Sequence, residues 1–283
     1  MSISVEGLPP IMPTARHLDG QAEQSADRPP LPLVWISLAT ITALLFLWSL
    51  ASSYGFVSPL FLPSPVAVYQ ALRSLAITGF VDATLAEHVG ASLLRIFGAL
   101  AVALVAGIPA GLAIGASRLG KGILDPIVEF LRPLPPLAYL PLVIIWLGIG
   151  EASKIAVIAL AMLPPVILST ATGVRSASAD HVNAARSFGA SRLQVLRHVI
   201  VPSALPSILT GTRIALGAGW STLVAAELVA ATRGLGFMIQ SAAQFLVTDV
   251  VIAGIVVIAA VAFLFELAAR LIERWLVPWA TRR

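Results

Sequence analysis

The chain has 283 residues, of which 58% are hydrophobic and 11% are charged, whereas about 25% of the residues of an ordinary soluble domain are charged. The formal net charge is +4, and cysteine is absent. These values exclude a soluble enzyme, a nucleic-acid-binding domain and a disordered chain, and the lack of cysteine excludes disulfide bonds and thiolate metal ligands. Uncharged runs at 96–117 and 155–174 have the length that a helix needs to cross a bilayer.

The N-terminal segment, residues 1–32, is polar and rich in proline. It does not resemble a signal peptide, which begins with a positively charged stretch. We therefore predict two parts in the chain, a disordered cytoplasmic tail at 1–32 and a single transmembrane domain at 33–283.

Six apolar windows follow, and we predict an all-α integral membrane protein with about six transmembrane helices. The windows are 33–52, 93–115, 123–148, 154–173, 208–231 and 250–272. With both termini in the cytoplasm, thirteen of the eighteen lysines and arginines lie in cytoplasmic segments. Since cytoplasmic loops retain basic residues, this orientation is favoured.

The segment between the first two windows contains a helix start at Ser64 and Pro65, because serine caps a helix and proline favours its first turn. An apolar stripe at helical spacing follows, formed by Val68, Tyr69, Leu72 and Leu75. We predict a short surface helix that lies on the outer leaflet.

The second window carries Gly107, Gly111 and Gly115 at every fourth position. These glycines leave one helix face without side chains, which permits the close approach of another helix. Packing within the chain is the favoured explanation, and an interface between subunits is the alternative.

The segment 115–122 is similar to a nucleotide-binding P-loop, but Gly122 replaces the serine or threonine that would bind magnesium, and an apolar helix precedes it where a strand is needed. No HExxH or GxSxG motif is present, and the four histidines lack the spacing of metal ligands. We therefore expect no catalytic site, no metal site and no ATPase site in this chain.

The third window contains five prolines, which one regular helix cannot accommodate. They are Pro126, Pro133, Pro135, Pro136 and Pro141. Irregular backbone at membrane depth persists where protein or a water-filled cavity covers it, so the break at 132–136 either lines a translocation pathway or is a kink between packed helices. The candidate pathway residues are Arg132, Pro133, Pro135, Pro136, Trp220 and Glu227.

Ionisable residues inside the windows are further candidates, because a charge in a membrane is costly. Spacing and proximity suggest three ion pairs, namely Glu129 with Arg132, Glu227 with Arg233, and Glu266 with Arg270. For Glu227, a place in the translocation pathway is the alternative.

The cytoplasmic segment at 174–207 lies between the fourth and fifth windows. We predict a helix over 180–188, a break at Gly189 and a second helix over 191–201. Pro202 and Pro206 should then prevent continuation into the fifth window. A polar helix pair on this face favours contact with a partner, and a basic connector is the alternative.

This loop resembles the EAA loop of ABC importer permeases, whose pattern is Glu-Ala-Ala-x3-Gly-x9-Ile-x-Leu-Pro. The matching stretch begins at Asn183, which replaces the family's glutamate, continues through Gly189 and ends at Pro202. The resemblance implies an ATPase-coupling role for Asn183, Ala184, Ala185, Arg186, Gly189, Ala190, Ser191, Arg192 and Pro202.

The resemblance extends from about residue 33 to the C-terminus and is strongest with the taurine, alkanesulfonate and nitrate permeases. The stretches most similar to taurine permeases are 57–63, 122–126, 132–150 and 219–227, the last continuing at 231–237. The resemblance implies a type I ABC importer permease that carries taurine or a related sulfonate across the bacterial inner membrane. An alkanesulfonate or nitrate permease, or an ion-coupled secondary transporter, is the alternative.

The resemblance also implies partners. A second copy of this permease, two cytoplasmic ABC ATPase subunits and a periplasmic substrate-binding protein would complete the transporter, in membrane lipid and without nucleic acid. This chain would bind no cofactor, since ATP and magnesium would lie on the ATPase subunits. Arg186 and Arg192 would contact those subunits.

Overall fold

The computed structural model describes residues 33–55 and 57–279, so the predicted tail at 1–32 lies outside the described residues. The described part is almost entirely α-helical, as predicted. Its helices are α1 (Leu33–Ser53), α2 (Pro65–Ile77), α3 (Leu85–Ala116), α4 (Arg118–Leu131), α5 (Leu140–Leu147), α6 (Glu151–Arg175), α7 (Ala179–Ser187), α8 (Arg192–Val195), α9 (Val201–Ala230), α10 (Leu235–Gln244) and α11 (Thr248–Leu276). The chain divides into two units, and the first of them ends at Leu47 within α1.

Among the described helices, α1, α3, α6, α9 and α11 are long and apolar enough to cross a membrane. The third predicted window is split into α4 and α5, whose axes are bent by 94°. The bend falls on 132–135, because proline donates no backbone hydrogen bond and also restricts the residue before it. Counted as one broken span, α4 and α5 make the sixth crossing that the sequence predicts.

The centre of the larger unit is formed by α6, which packs against both α3 and α9. The glycines of α3 face α6, and a Cβ at Gly111 would lie 2.5 Å from the Cβ of Thr170. A Cβ at Gly115 would lie equally close to that of Val174, at 2.5 Å. The prediction that these glycines serve packing within the chain is confirmed.

Helix α2 begins as predicted, with the Ser64 hydroxyl accepting a hydrogen bond from the N–H of Ala67 at 3.2 Å. Val68 and Leu75 are buried against apolar side chains of α10 and α11, whereas Tyr69 is exposed. The apolar stripe therefore packs mainly on the protein rather than on the outer leaflet, against a helix, α10, that the sequence analysis did not predict.

The loop between α6 and α9 contains the predicted helix and break, but the predicted stop at Pro202 and Pro206 is wrong. Helix α8 continues through one π turn (Leu196–Ile200) into α9, and 192–229 forms one helical run of 38 residues. In the π turn the N–H of Val201 bonds to Leu196, five residues back. Pro202 then lies in the first turn of α9, where a missing N–H costs little.

Candidate functional site

The turn after α7 is held in a geometry that requires glycine. Gly189 has a φ of +82°, which disfavours residues with a Cβ. The N–H of Ala190 donates to the Ala185 carbonyl at 3.1 Å, and the N–H of Gly189 donates to that of Arg186 at 2.9 Å. These two bonds close the end of α7 in a Schellman motif.

The start of α8 is fixed by Ser191. Its hydroxyl accepts a hydrogen bond from the N–H of Gln194 at 3.4 Å, and the Gln194 side chain accepts one from the N–H of Ser191 at 2.8 Å. This reciprocal pair is a capping box. Because both neighbouring helix ends are capped, residues 188–191 present their side chains from a rigid turn.

Most of the residues that the EAA resemblance singles out lie on the surface of this turn. Asn183, Ala184, Arg186, Gly189, Ser191 and Arg192 are exposed, and Ala185, Ala190 and Pro202 are half-buried. The sequence analysis did not single out Phe188, which is 91% exposed, or Leu193, which is 72% exposed. The sequence signal that could have indicated this surface is Phe188, an aromatic residue directly before Gly189 in an otherwise polar pair of helices. Apolar side chains held in solvent by a rigid turn indicate a contact surface.

A cavity of about 360 Å³ lies at the break between α4 and α5. Arg132 and Pro136 line it from the break, Pro164 and Pro165 from the middle of α6, and Thr222 from α9. The broken span therefore borders a partly open cavity between α4, α6 and α9.

The other candidate pathway residues do not line this cavity. Pro133 and Pro135 belong to the break but are not among the lining residues. Trp220 is 8% exposed and packs against Phe265, with ring centroids 6.1 Å apart. Glu227 is fully buried near the end of α9.

An ion network joins α3, α6 and α9 at the end of the bundle where α6 begins, and it is buried except at Glu151, whose side chain is 52% exposed. Arg95 donates to Glu227 at 2.6 Å and, through two nitrogens, to Glu151 at 2.6 and 2.8 Å. Lys154 also donates to Glu151, at 2.7 Å. Glu227 is fully buried and Arg95 is nearly so. Two cations thus balance two carboxylates, and the bidentate contact fixes their geometry.

The same network holds the start of α10. The second oxygen of Glu227 accepts a hydrogen bond from the N–H of Gly236 at 2.7 Å. Ser92 donates to Glu227 at 2.7 Å and accepts from the N–H of Leu235 at 2.9 Å. Gly234 has a φ of +135°, and a Cβ there would lie 2.5 Å from the Glu227 carboxyl carbon. This approach therefore requires glycine at 234.

A second ion cluster joins α9 to α11 nearer to the loop. Arg213 donates to Glu266 at 2.5 Å and to Glu273 at 2.9 Å, and Arg270 donates to Glu266 at 2.8 Å. The predicted pair of Glu266 and Arg270 is confirmed. The ion pairs of Arg213 could not be predicted from local spacing, because both of its partners lie on another helix.

Two of the predicted ion pairs are wrong. Glu227 bonds to Arg95 instead of Arg233, and the Arg233 side chain lies 3.6 Å from Glu87. A fully buried carboxylate needs a buried partner, and the Arg233 side chain is 55% exposed. The other pair, that of Glu129 with Arg132, is not formed within the described residues, where α4 ends at Leu131.

Comparison with known proteins gives a consistent result over most of the chain. Residues 103–278 match the family model described as binding-protein-dependent transport system inner membrane component. The taurine transport system permease protein TauC of Escherichia coli is 57% identical over 87% of this chain and 90% of that protein. The putative aliphatic sulfonates transport permease protein SsuC of Escherichia coli is 39% identical, over 82% of this chain and 87% of that protein. The bicarbonate transport system permease protein CmpB of Synechococcus elongatus is 32% identical, over 88% and 92% respectively.

Solved structures show a similar helix arrangement. A chain of the MetNI methionine ABC transporter, in an inward-facing conformation, has a TM-score of 0.62 and 22% identity, and the match covers 68% of this chain and 95% of that one. A chain of an amino acid ABC transporter has a TM-score of 0.51 and 19% identity, over 74% and 94%. At these identities the likeness shows the fold.

Proposed function

Because the chain belongs to the family of binding-protein-dependent transport system inner membrane components, we propose that it is the transmembrane subunit of an ATP-driven importer for taurine or a related sulfonate. The predicted family and the type I ABC importer permease fold are confirmed. The choice of substrate rests on sequence identity, which falls from 57% with a taurine permease to 39% with a sulfonate permease and 32% with a bicarbonate permease.

The loop between α6 and α9 supports coupling to a separate ATPase subunit. Phe188 and Leu193 offer apolar contacts, and Arg186 and Arg192 are exposed cations that form no ion pair within the described chain. In an interface the apolar side chains supply most of the affinity and the charges favour the correct partner. Because α8 is continuous with α9, a partner that moves the loop also moves a membrane span.

The proposal assigns ATP and magnesium to the ATPase subunits and no cofactor to this chain. The P-loop-like segment at 115–122 supports this assignment. The N–H of Gly120 donates to the Ser117 hydroxyl at 2.9 Å, and the N–H of Lys121 donates to the Ser117 carbonyl at 3.0 Å. These N–H groups begin α4 and are not free to hold a phosphate.

The proposed complex contains two copies of this chain, two ATPase subunits and an external binding protein that delivers substrate. In this complex the loop would face the cytoplasm, and with six crossings both termini would lie on that same side. The excess of lysine and arginine on that side supports the orientation. ATPase closure would then switch the spans between inward-facing and outward-facing arrangements by rigid movements of packed helices.

Co-purification and uptake test this proposal. Replacing residues 183–202 by a glycine-serine linker should abolish both co-purification with a P-loop ATPase and uptake of radiolabelled taurine, while the protein still accumulates in the membrane. Wild-type uptake that persists without ATP and follows an ion gradient would contradict the proposal and favour a secondary transporter. Competition by alkanesulfonates and nitrate in the same assay decides the substrate.

A further inference from the structure

We infer that the cavity at the break between α4 and α5 is a transient binding site for a short zwitterionic sulfonate that crosses the membrane. Arg132 would bind the sulfonate group, and the backbone carbonyls of Leu160 and Ala161 would bind the ammonium group. The inference rests on the proposed function and assigns its substrate to particular groups of this chain.

Arg132 is exposed at the cavity and, unlike Arg95 and Arg213, has no counter-ion within the described residues. Arg95 and Arg213 each bond to two carboxylates. Arg132 forms no ion pair and no side-chain hydrogen bond with any part of the chain that the structure describes. A guanidinium group stays charged, and such a charge at membrane depth must border water or an anion. The cavity that Arg132 lines provides room for water or an anion.

The depth of the cavity favours a transported solute over a lipid head group. Pro164 lies near the middle of α6, about 20 Å along the helix from Glu151. Lipid head groups lie beyond a hydrocarbon core about 30 Å thick, so a phosphate of lipid would have to leave its own layer to reach this site. A solute that crosses the membrane passes this depth.

The opposite wall of the cavity offers acceptors for a cation. Proline has no N–H, so Pro164 and Pro165 leave the carbonyls of Leu160 and Ala161, four residues back, without their helical partners. Both residues line the cavity with Arg132. Carbonyls freed in this way serve as cation ligands inside membranes when they face a cavity. The cavity therefore has a cation on one wall and, on another, two residues whose carbonyls lack the usual helical donor four residues on.

The size of the cavity and its remaining polar groups agree with a small zwitterion. Its volume of about 360 Å³ lies at the lower end of the range of about 300–1,000 Å³ that is typical of small-molecule sites. The hydroxyl-bearing residues Tyr139 and Thr222 also line it. Thr222 already donates to the Ala218 carbonyl at 3.0 Å, so its oxygen remains available as an acceptor.

The test measures equilibrium binding of radiolabelled taurine to the purified complex of permease and ATPase subunits in nanodiscs, without the binding protein. Arg132→Gln should weaken taurine binding about tenfold or more, because a hydrogen bond to a charged group is lost. Arg132→Lys keeps the positive charge and should retain most of the affinity. Arg118→Gln, at the other end of α4, is the matched control and should change nothing.

A second pair of variants tests the acceptor wall. Pro164→Ala with Pro165→Ala restores two N–H groups, so taurine should bind more weakly, whereas ethanesulfonate, which has no ammonium group, should compete as well as before. Pro109→Ala, at an exposed proline inside α3, controls for restoring a helical hydrogen bond elsewhere.

Three results would overturn the inference. These are unchanged taurine binding by Arg132→Gln, equal loss of taurine and ethanesulfonate in the proline variants, and no saturable binding by a wild-type complex that still imports taurine. A wild-type complex that imports no sulfonate with its binding protein present would instead overturn the proposed function.

Discussion

The carboxylate of Glu227 uses both oxygens in hydrogen bonds and is closed to solvent. Its ion-pair partner in the structure, Arg95, lies 132 residues away in the sequence and on another helix. Removing one member of a buried ion pair destabilises the fold more than replacing both members by apolar residues, because the remaining charge stays buried without a partner.

Glu227→Gln should therefore lower the free energy of unfolding by about 3–5 kcal/mol. Thermal or denaturant unfolding of the purified protein measures this. Glu87→Gln is the control, since it keeps a capping-box residue at the start of α3 and removes only an exposed pair, which contributes at most about 1 kcal/mol. Equal effects of the two substitutions would show that burial of the pair has no special weight.

Phe188 is a second residue whose environment defines its role. Phe188→Ala should weaken binding of the ATPase subunit by about 2 kcal/mol, roughly 30-fold, because exposed aromatic side chains are frequent hot spots. Titration of the permease with purified ATPase measures this affinity. Phe245→Ala removes another exposed phenylalanine, 73% exposed, at the turn between α10 and α11, and should leave the affinity unchanged.

Helix packing adds a prediction at the scale of elements. Gly111→Ala would place a methyl group 2.5 Å from the Thr170 Cβ and 2.6 Å from the Ile167 carbonyl oxygen, so α3 and α6 must separate. Overpacking of this kind costs about 1–3 kcal/mol. Gly90→Ala on the same helix meets nothing within 4 Å and should be neutral or stabilising, because alanine favours helix. Unfolding midpoints of the two variants provide the comparison.

The elements that sequence predicted well are those whose signal is local. Long apolar windows predicted the spans, and serine followed by proline predicted the start of α2. Helix α10 was missed because it is short and its buried face depends on contacts with α2 and α11. The stop at Pro202 was wrongly predicted because a π turn, which sequence does not announce, lets the helix pass the proline.

The candidate site divides in the same way. The turn at Gly189 and the cavity at the proline break follow from glycine and proline, whose backbone limits are local properties. The ion network of Arg95, Glu151 and Glu227 could not be predicted, since no periodicity links residues on three separate helices. Neither Arg95 nor Lys154 was singled out from the sequence, although the structure buries both.

At the scale of the whole molecule, α9 connects the loop to both ion clusters, through Arg213 and Glu227. Arg192→Glu should uncouple the transporter, with ATP hydrolysis continuing while taurine uptake falls, because the reversed charge repels its site on the partner. Parallel assays of hydrolysis and uptake in proteoliposomes measure this. Arg118→Glu, a matched reversal at the start of α4, should leave both rates intact. Normal uptake by an assembled Arg192→Glu complex would show that this arginine has no coupling role.

The unbroken helical run from 192 to 229 also has a mechanical consequence. The run is about 57 Å long. If Glu227 holds one end in place and the partner displaces the other end at Arg192, the helix pivots about Glu227. Ala218 lies nine residues from Glu227 and Arg192 lies 35, so the cavity wall moves about a quarter as far as the loop. In the proposed complex, a large displacement of the loop by the ATPase subunit would thus become a small displacement of α9 beside the cavity.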